Sequence, residues 1–207
     1  MLRAIVILML CSCAEPETKI KAVRETVTVT VYETVYEAVV PKTVTVLGDS
    51  TARDWPPLLQ GLRDDIYVID HAVSGSKSNV ILNDQWLHCA KPMAKPDMLV
   101  VLGGVVDFFL NDTHGVAYYN LNQIYTDAIA MGIDVYAITT LPSEAQYTAK
   151  ILALNDMLRA RADITVIDLY AEFDAHRGDW FTDSTHHNAL GLARIAEAVA
   201  DVLPVPE

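Results

Sequence analysis

The chain has 207 residues, enough for one domain with a sizeable core plus an extra segment. Its 52% hydrophobic and 20% charged residues suit an ordinary globular protein. A formal net charge of −12 argues against binding nucleic-acid backbones and against broad docking on anionic lipid.

The chain opens MLRAIVILMLCSCAEPE, in which Arg3 is the one early cation and Ala4 to Leu10 an unbroken apolar run. That run is too short to cross a bilayer, which takes about 20 residues. A basic start, a short apolar run and small residues at its end read as a secretory signal over residues 1–12. Leu10-Cys11-Ser12-Cys13 resembles a bacterial lipobox, with Cys13 as the lipidated first residue of the mature chain. An ordinary cleaved signal and a buried strand or helix are the alternatives. A lipidated Cys13 leaves Cys89 alone, so no disulfide framework is implied; without lipidation a Cys13–Cys89 bridge stays open. No cluster has zinc-ligand spacing, since His186 and His187 are adjacent.

Residues 13–42 differ in texture. The stretch ETVTVTVYETVYEAVV contains no glycine, and Val27, Val29 and Val31 alternate with threonine at the period of a strand. Its Thr26-Val27-Thr28-Val29 is echoed by Thr43-Val44-Thr45-Val46. The segment is expected to be a stalk, because Pro41 separates it from the next strand; the competing reading is an extra edge strand of the domain.

From Thr43 the pattern becomes regular. Strands are expected at Thr43–Leu47, Ile66–Asp70, Met98–Leu102, Ile133–Thr139 and Ile164–Asp168. Helices are expected at Asp54–Leu62, with Pro56 and Pro57 in its first turn, at Ser78–Cys89, with Val80, Ile81, Trp86 and Leu87 as apolar positions, and at Val116–Met131, ended by Gly132. Two more are expected at Ala145–Ala162 and Ala189–Leu203, the latter capped by Asn188. Strands alternating with helices imply a mostly parallel sheet covered on both faces, which binds ligands beyond the carboxyl ends of its strands.

Gly48-Asp49-Ser50 ends the first strand. One reading is a turn, with Asp and Ser capping the next helix. The other is chemical: a serine at a strand's carboxyl end, awaiting a base. A hydroxyl becomes nucleophilic when a histidine takes its proton, and that histidine works best when a carboxylate fixes its tautomer. WFTDSTHHNALG supplies such a pair, Asp183 and His186, three residues apart directly before the last helix.

With these pieces in order the chain resembles the GDSL-type, or SGNH, hydrolase family. The matching residues are Gly48-Asp49-Ser50, Gly75 in HAVSGSKSN after the second strand, VVLGGVVDF after the third, Leu141-Pro142 after the fourth, and Asp183-Ser184-Thr185-His186. The resemblance runs from about Val44 to Leu203 and implies a flavodoxin-like three-layer α/β/α sandwich with a parallel five-stranded sheet. It further implies hydrolysis of carboxylic or O-acetyl esters by Ser50 as nucleophile, His186 as base and Asp183 as its orienting carboxylate, with no metal or organic cofactor. The backbone N–H groups of Ser50 and Gly75 would face the oxyanion.

The family adds an Asn side chain to that oxyanion hole in a Gly-x-Asn-Asp motif, but here Gly104-Val105-Val106-Asp107 puts Val106, which has no donor, in its place. Either the hole has fewer donors or another residue serves, with Asn79 and Asn111 nearby in sequence. Phe108, Phe109, Trp180 and Phe181 come after strand ends on the active side and are candidates for the substrate pocket or for the core. Asp107 is expected to be a structural hydrogen-bonding residue and His187 a supporting residue, with His71, His88, His114 and His176 structural or at the surface. The expectation is a monomeric, lipid-anchored or secreted serine esterase acting outside the cytoplasm on a small-molecule or glycan ester, held to the membrane only through Cys13. The alternative is a surface binding protein that keeps the fold with little or no turnover.

Overall fold

The computed structural model describes residues 40–93 and 95–205. The chain divides into two units, Met1–Glu37 and Ala38–Glu207, and the described residues all belong to the second. The expected signal with Cys13, and the expected stalk apart from Val40, Pro41 and Lys42, lie outside them.

Five parallel strands form one sheet in the order β2-β1-β3-β4-β5. They are β1 (Lys42–Gly48), β2 (Ile66–Asp70), β3 (Met98–Leu102), β4 (Asp134–Ile138) and β5 (Thr165–Ile167). This is the doubly wound, flavodoxin-like order, in which the direction of winding reverses between β1 and β3. β2 and β3 have the expected bounds; β1 is a residue longer at each end, and β4 and β5 are each a residue shorter at both.

Alternate strand residues serve two cores, as a pleated sheet buried on both faces requires. Val44, Val46, Met98, Val100 and Ile138 pack with Leu59 of α1 (Pro56–Leu62) and with Ile195 and Val199 of α8 (Ala189–Val202). Leu47, Leu99, Val101 and Ala137 face the opposite way. They pack with Leu121 and Ile124 of α4 (His114–Ala130) and Leu154 of α5 (Thr148–Arg159). The result is a three-layer α/β/α sandwich.

The helices depart from expectation where sequence signals are weakest. α1 starts at Pro56 rather than Asp54, with its two prolines in the first turn, where missing N–H groups go unused. α4 starts at His114 because Thr113 caps it through a hydrogen bond from the Val116 amide. The expected Ser78–Cys89 helix is one short α-turn, α2 (Ser78–Val80), that widens into a π-helix over Ile81–Ala90, whose end is closed by Lys91 N–H donating to Trp86 O. Its buried residues, Ile81, Gln85, Trp86 and Ala90, match the wider winding, whereas Val80 and Leu87 are only half-buried. The expected Ala145–Ala162 helix is a 3₁₀ turn (Ala145–Tyr147) followed by α5. Three short helices, α3 (Val105–Phe109), α6 (Tyr170–Ala175) and α7 (Arg177–Trp180), occupy stretches expected to be loops.

Candidate active site

Gly48 lies so close to β3 that a Cβ there would stand 2.0 Å from Leu102 O. Its peptide is gripped by a buried carboxamide: Gln85 Oε1 accepts from Gly48 N at 2.9 Å and Gln85 Nε2 donates to Gly48 O at 2.8 Å. The chain then turns through Asp49, whose Oδ1 accepts from the Thr51 amide at 2.9 Å and the Thr51 hydroxyl at 2.7 Å, capping the 3₁₀ turn Ser50–Ala52. Both readings of Gly48-Asp49-Ser50 therefore hold in geometry: Asp49 is the cap, and Ser50 is presented, half-buried, just past the sheet's carboxyl edge.

His186 and Asp183 reach the same edge from the turn before α8. His186 Nε2 lies 3.0 Å from Ser50 Oγ, and His186 Nδ1 lies 2.8 Å from Asp183 Oδ2, although Ser50 and His186 are 136 residues apart in sequence. An ionised carboxylate only accepts, so Nδ1 carries the proton and Nε2 is free to accept from the serine hydroxyl. Asp183 Oδ1 takes the amides of Thr185 and His186, each at 2.7 Å. These bonds to the carboxylate hold the Asp183 pKa down to about 2, so it is charged wherever the imidazole works. Asn188 caps α8 as expected, accepting from Leu190 and Gly191 amides, and its Nδ2 donates to Asp179 O.

Gly75 sits in an exposed turn at φ +78°, a left-handed conformation that suits glycine. Asp107 ties this region to α3, accepting from the Ser78 amide at 2.8 Å and the Ser78 hydroxyl at 2.6 Å, which is the structural part expected of it. Val106 is buried beside it in the first turn of α3. Asn111 occupies a left-handed turn after α3 and Asn79 lies in α2; among the described residues, neither side chain hydrogen-bonds to Ser50 or Gly75.

The pocket assignment changes. Phe108 is fully buried in the core beside α4 and α5, so it cannot line a pocket. Phe109 packs edge-on against Tyr147, 5.1 Å between ring centres. Trp180 stacks on His176 and abuts Phe173, while Phe181 abuts Phe173 and His187, so these two rings support the His186 turn from the core side. His187 is itself buried among them with neither ring nitrogen partnered, and desolvation pushes its pKa down to about 4. Three surface hollows of about 440, 440 and 240 Å³ lie elsewhere, and none is lined by Ser50, Asp183 or His186.

Two further buried groups belong to the site without a sequence signal, Gln85 and Thr185, and Asp49, the expected cap, carries a raised pKa as well. Burial pushes the Asp49 carboxyl up to about 6, with Asp107 adding to the rise, and its Oδ2 has no hydrogen-bond partner. Asp49 was at least flagged by its place in Gly-Asp-Ser; nothing local to Gln85 or Thr185 announces a partner far away in sequence.

A family model described as GDSL-like Lipase/Acylhydrolase matches residues 40–194. No curated protein matches the chain. Among solved structures, a member of the lipolytic G-D-S-L family from Veillonella parvula is 17% identical with a TM-score of 0.67, covering 78% of this chain and 98% of its own. A carbohydrate esterase family 3 structure from Talaromyces cellulolyticus is 17% identical at 0.66, covering 77% and 95%. The psychrotrophic esterase EstA from Pseudoalteromonas sp. is 19% identical at 0.64, covering 77% and 95%. With the family model spanning most of the domain over a sandwich of the SGNH hydrolase fold, the chain belongs to the GDSL-like lipase/acylhydrolase family and is an esterase of the SGNH type.

Proposed function

We propose that Ser50, His186 and Asp183 carry out ester hydrolysis through an acyl-enzyme. The observation behind this reading is the continuous relay from Ser50 Oγ through the imidazole to Asp183, at 3.0 and 2.8 Å. Ser50 Oγ attacks the ester carbonyl carbon as its proton passes to His186 Nε2. Charge collects on the carbonyl oxygen, which we assign to the amides of Ser50 and Gly75. The intermediate collapses as His186 returns the proton to the alcohol oxygen and the carbon–oxygen bond breaks. A water then gives a proton to His186 and attacks the acyl carbonyl, and Ser50 leaves with that proton as the acid is released.

We infer short acyl esters as the substrate class, O-acetyl groups on glycans foremost. Support comes from the carbohydrate esterase among the structural neighbours. Action outside the cytoplasm, with Cys13 lipidated, is proposed from the sequence of residues 1–13. A second reading, a binding protein with little turnover, draws on Val106, a donorless side chain at the family's Asn position.

A fluorophosphonate probe together with 4-nitrophenyl esters of graded length and acetylated glycans tests these readings. The full chain is expected to be labelled at Ser50 and to favour acetyl esters. Ser50→Ala and His186→Ala are each expected to lose at least about 10³-fold in kcat. Wild-type turnover in Ser50→Ala would overturn the assignment; absence of labelling would favour the binding protein.

A further inference from the structure

The segment from Thr182 to His186 carries half of the relay on an exposed turn. Asp183, Ser184 and His186 are all exposed, and the hydrogen bonds of Asp183 stay within the turn itself. Thr182 likewise donates only to His186 O. Thr185 points the other way. It is 5% exposed, and its hydroxyl lies 2.7 Å from the hydroxyl of Ser143, which is 1% exposed and comes directly after Leu141-Pro142, beyond β4. Apart from His186–Ser50, this is the one side-chain hydrogen bond that joins residues 182–186 to another part of the chain, among the described residues. The Ser143 end is fixed in turn, since Arg177 Nη1 donates to Ser143 O at 2.7 Å while Arg177 Nε is held by Asp174.

From this arrangement we propose that the buried Thr185–Ser143 pair is a clamp that sets the position of His186 relative to Ser50, making both of them positioning residues for the esterase reaction. The proposal rests on the relay assigned above. The same Thr185 acts at both ends of one residue: its amide binds Asp183 Oδ1 and its side chain binds the β4 loop, so the carboxylate that orients the imidazole is referenced to the sheet through a single side chain. A hydroxyl pair suits this task because it is uncharged: it can be buried without the cost of an ion, yet its direction is fixed. A loosened turn would let the imidazole drift from the serine, and displacements of about 1 Å at a reacting group can cost about 100-fold in rate.

The test compares Thr185→Val, Thr185→Ser, Ser143→Ala and the Thr185→Val/Ser143→Ala pair in the full chain, with 4-nitrophenyl acetate and a fluorophosphonate. Thr185→Val keeps the side-chain volume and removes the hydroxyl. It is expected to lower kcat by about 10- to 100-fold with KM within about twofold and to slow labelling in parallel. Thr185→Ser is expected to restore kcat to within about threefold of wild type, because it keeps the hydroxyl; a purely packing role would be rescued by valine and not by serine. The paired variant is expected to be no slower than the worse single variant, since both changes break one bond. If Thr185→Val does not fold, Ser143→Ala and Thr185→Ser carry the same comparison. A Thr185→Val or Ser143→Ala protein with wild-type kcat overturns the clamp. Ser50→Ala is run alongside: if it is inactive and the clamp variants are normal, only the clamp fails, whereas an active Ser50→Ala removes the relay itself.

Discussion

At the scale of single residues, the site combines one charge that is easy to keep with two that are hard to make. Asp183 takes two backbone amides and an imidazole, so its charge survives to about pH 2. Asp183→Asn replaces that acceptor with a group that can also donate, which frees the imidazole to take the wrong tautomer. Its kcat is expected to fall by about 10³- to 10⁴-fold, measured on the same ester as Ser50→Ala, with residual turnover above that variant. Val106 invites the opposite experiment. It is 7% exposed and belongs to neither large core, so a polar replacement there has less packing to lose than one at Phe108. Val106→Asn is expected to raise kcat by about tenfold or more while moving KM little, because a donor added where charge develops helps only in the transition state. A slower and less stable Val106→Asn would mean that this turn no longer faces the oxyanion. That Ser50, Asp183 and His186 meet at one sheet edge was legible in the order and spacing of their motifs. Thr185, Ser143 and Gln85 were not, since a threonine or glutamine carries no mark of a partner 42 or 37 residues away.

At the scale of elements, legibility tracked length and repetition. Met98–Leu102 is a run of apolar residues between Asp97 and Gly103, and the strand has those bounds. The π-helix was legible as a helix but not in its winding: Ile81, Gln85, Trp86 and Ala90 share a face only when the turn is wider than 3.6 residues. The wider winding brings Gln85 under Gly48. Gln85→Leu is therefore expected to cost more than a usual surface change, about 2–4 kcal/mol in urea unfolding, because it strands a buried N–H and a buried carbonyl at the end of β1. A cost below about 0.5 kcal/mol would show that water or a neighbour can replace the carboxamide. α3, α6 and α7 escaped notice for a different reason. They have five, six and four residues, too few for a period to show, and α6 is held by the fully buried Phe173 rather than by its own propensity.

At the scale of the whole molecule, two buried groups on either side of the relay tilt stability with pH in opposite senses. Asp49 has a folded pKa of about 6, above the usual carboxylate value, so its contribution is full at low pH and is lost as pH rises through about 6. His187 has a folded pKa of about 4, below the usual imidazole value, so its contribution is full above about pH 6.5 and is lost as pH falls toward 4. Asp49→Asn should gain melting temperature relative to wild type as pH rises from about 4 to about 6, and His187→Phe should gain on it as pH falls from about 6.5 to about 4, each by a few degrees. A difference that stays flat with pH in either variant would reassign the titration. The fold class was the most legible feature of all, because five apolar strands separated by helices admit few arrangements.

The relay joins the end of the first strand to a turn near the end of the chain, 136 residues later. On the mechanism proposed above, turnover reports on one of the most distant contacts in the domain, and loop-closure entropy makes such contacts slow to form. On that mechanism, a chain still emerging from the ribosome can pair β1 with β3 but is expected to hydrolyse no ester until residues 182–186 have been made and have docked. In refolding from urea, circular dichroism is expected to recover before esterase rate does, and the lag between them times the closing of the molecule.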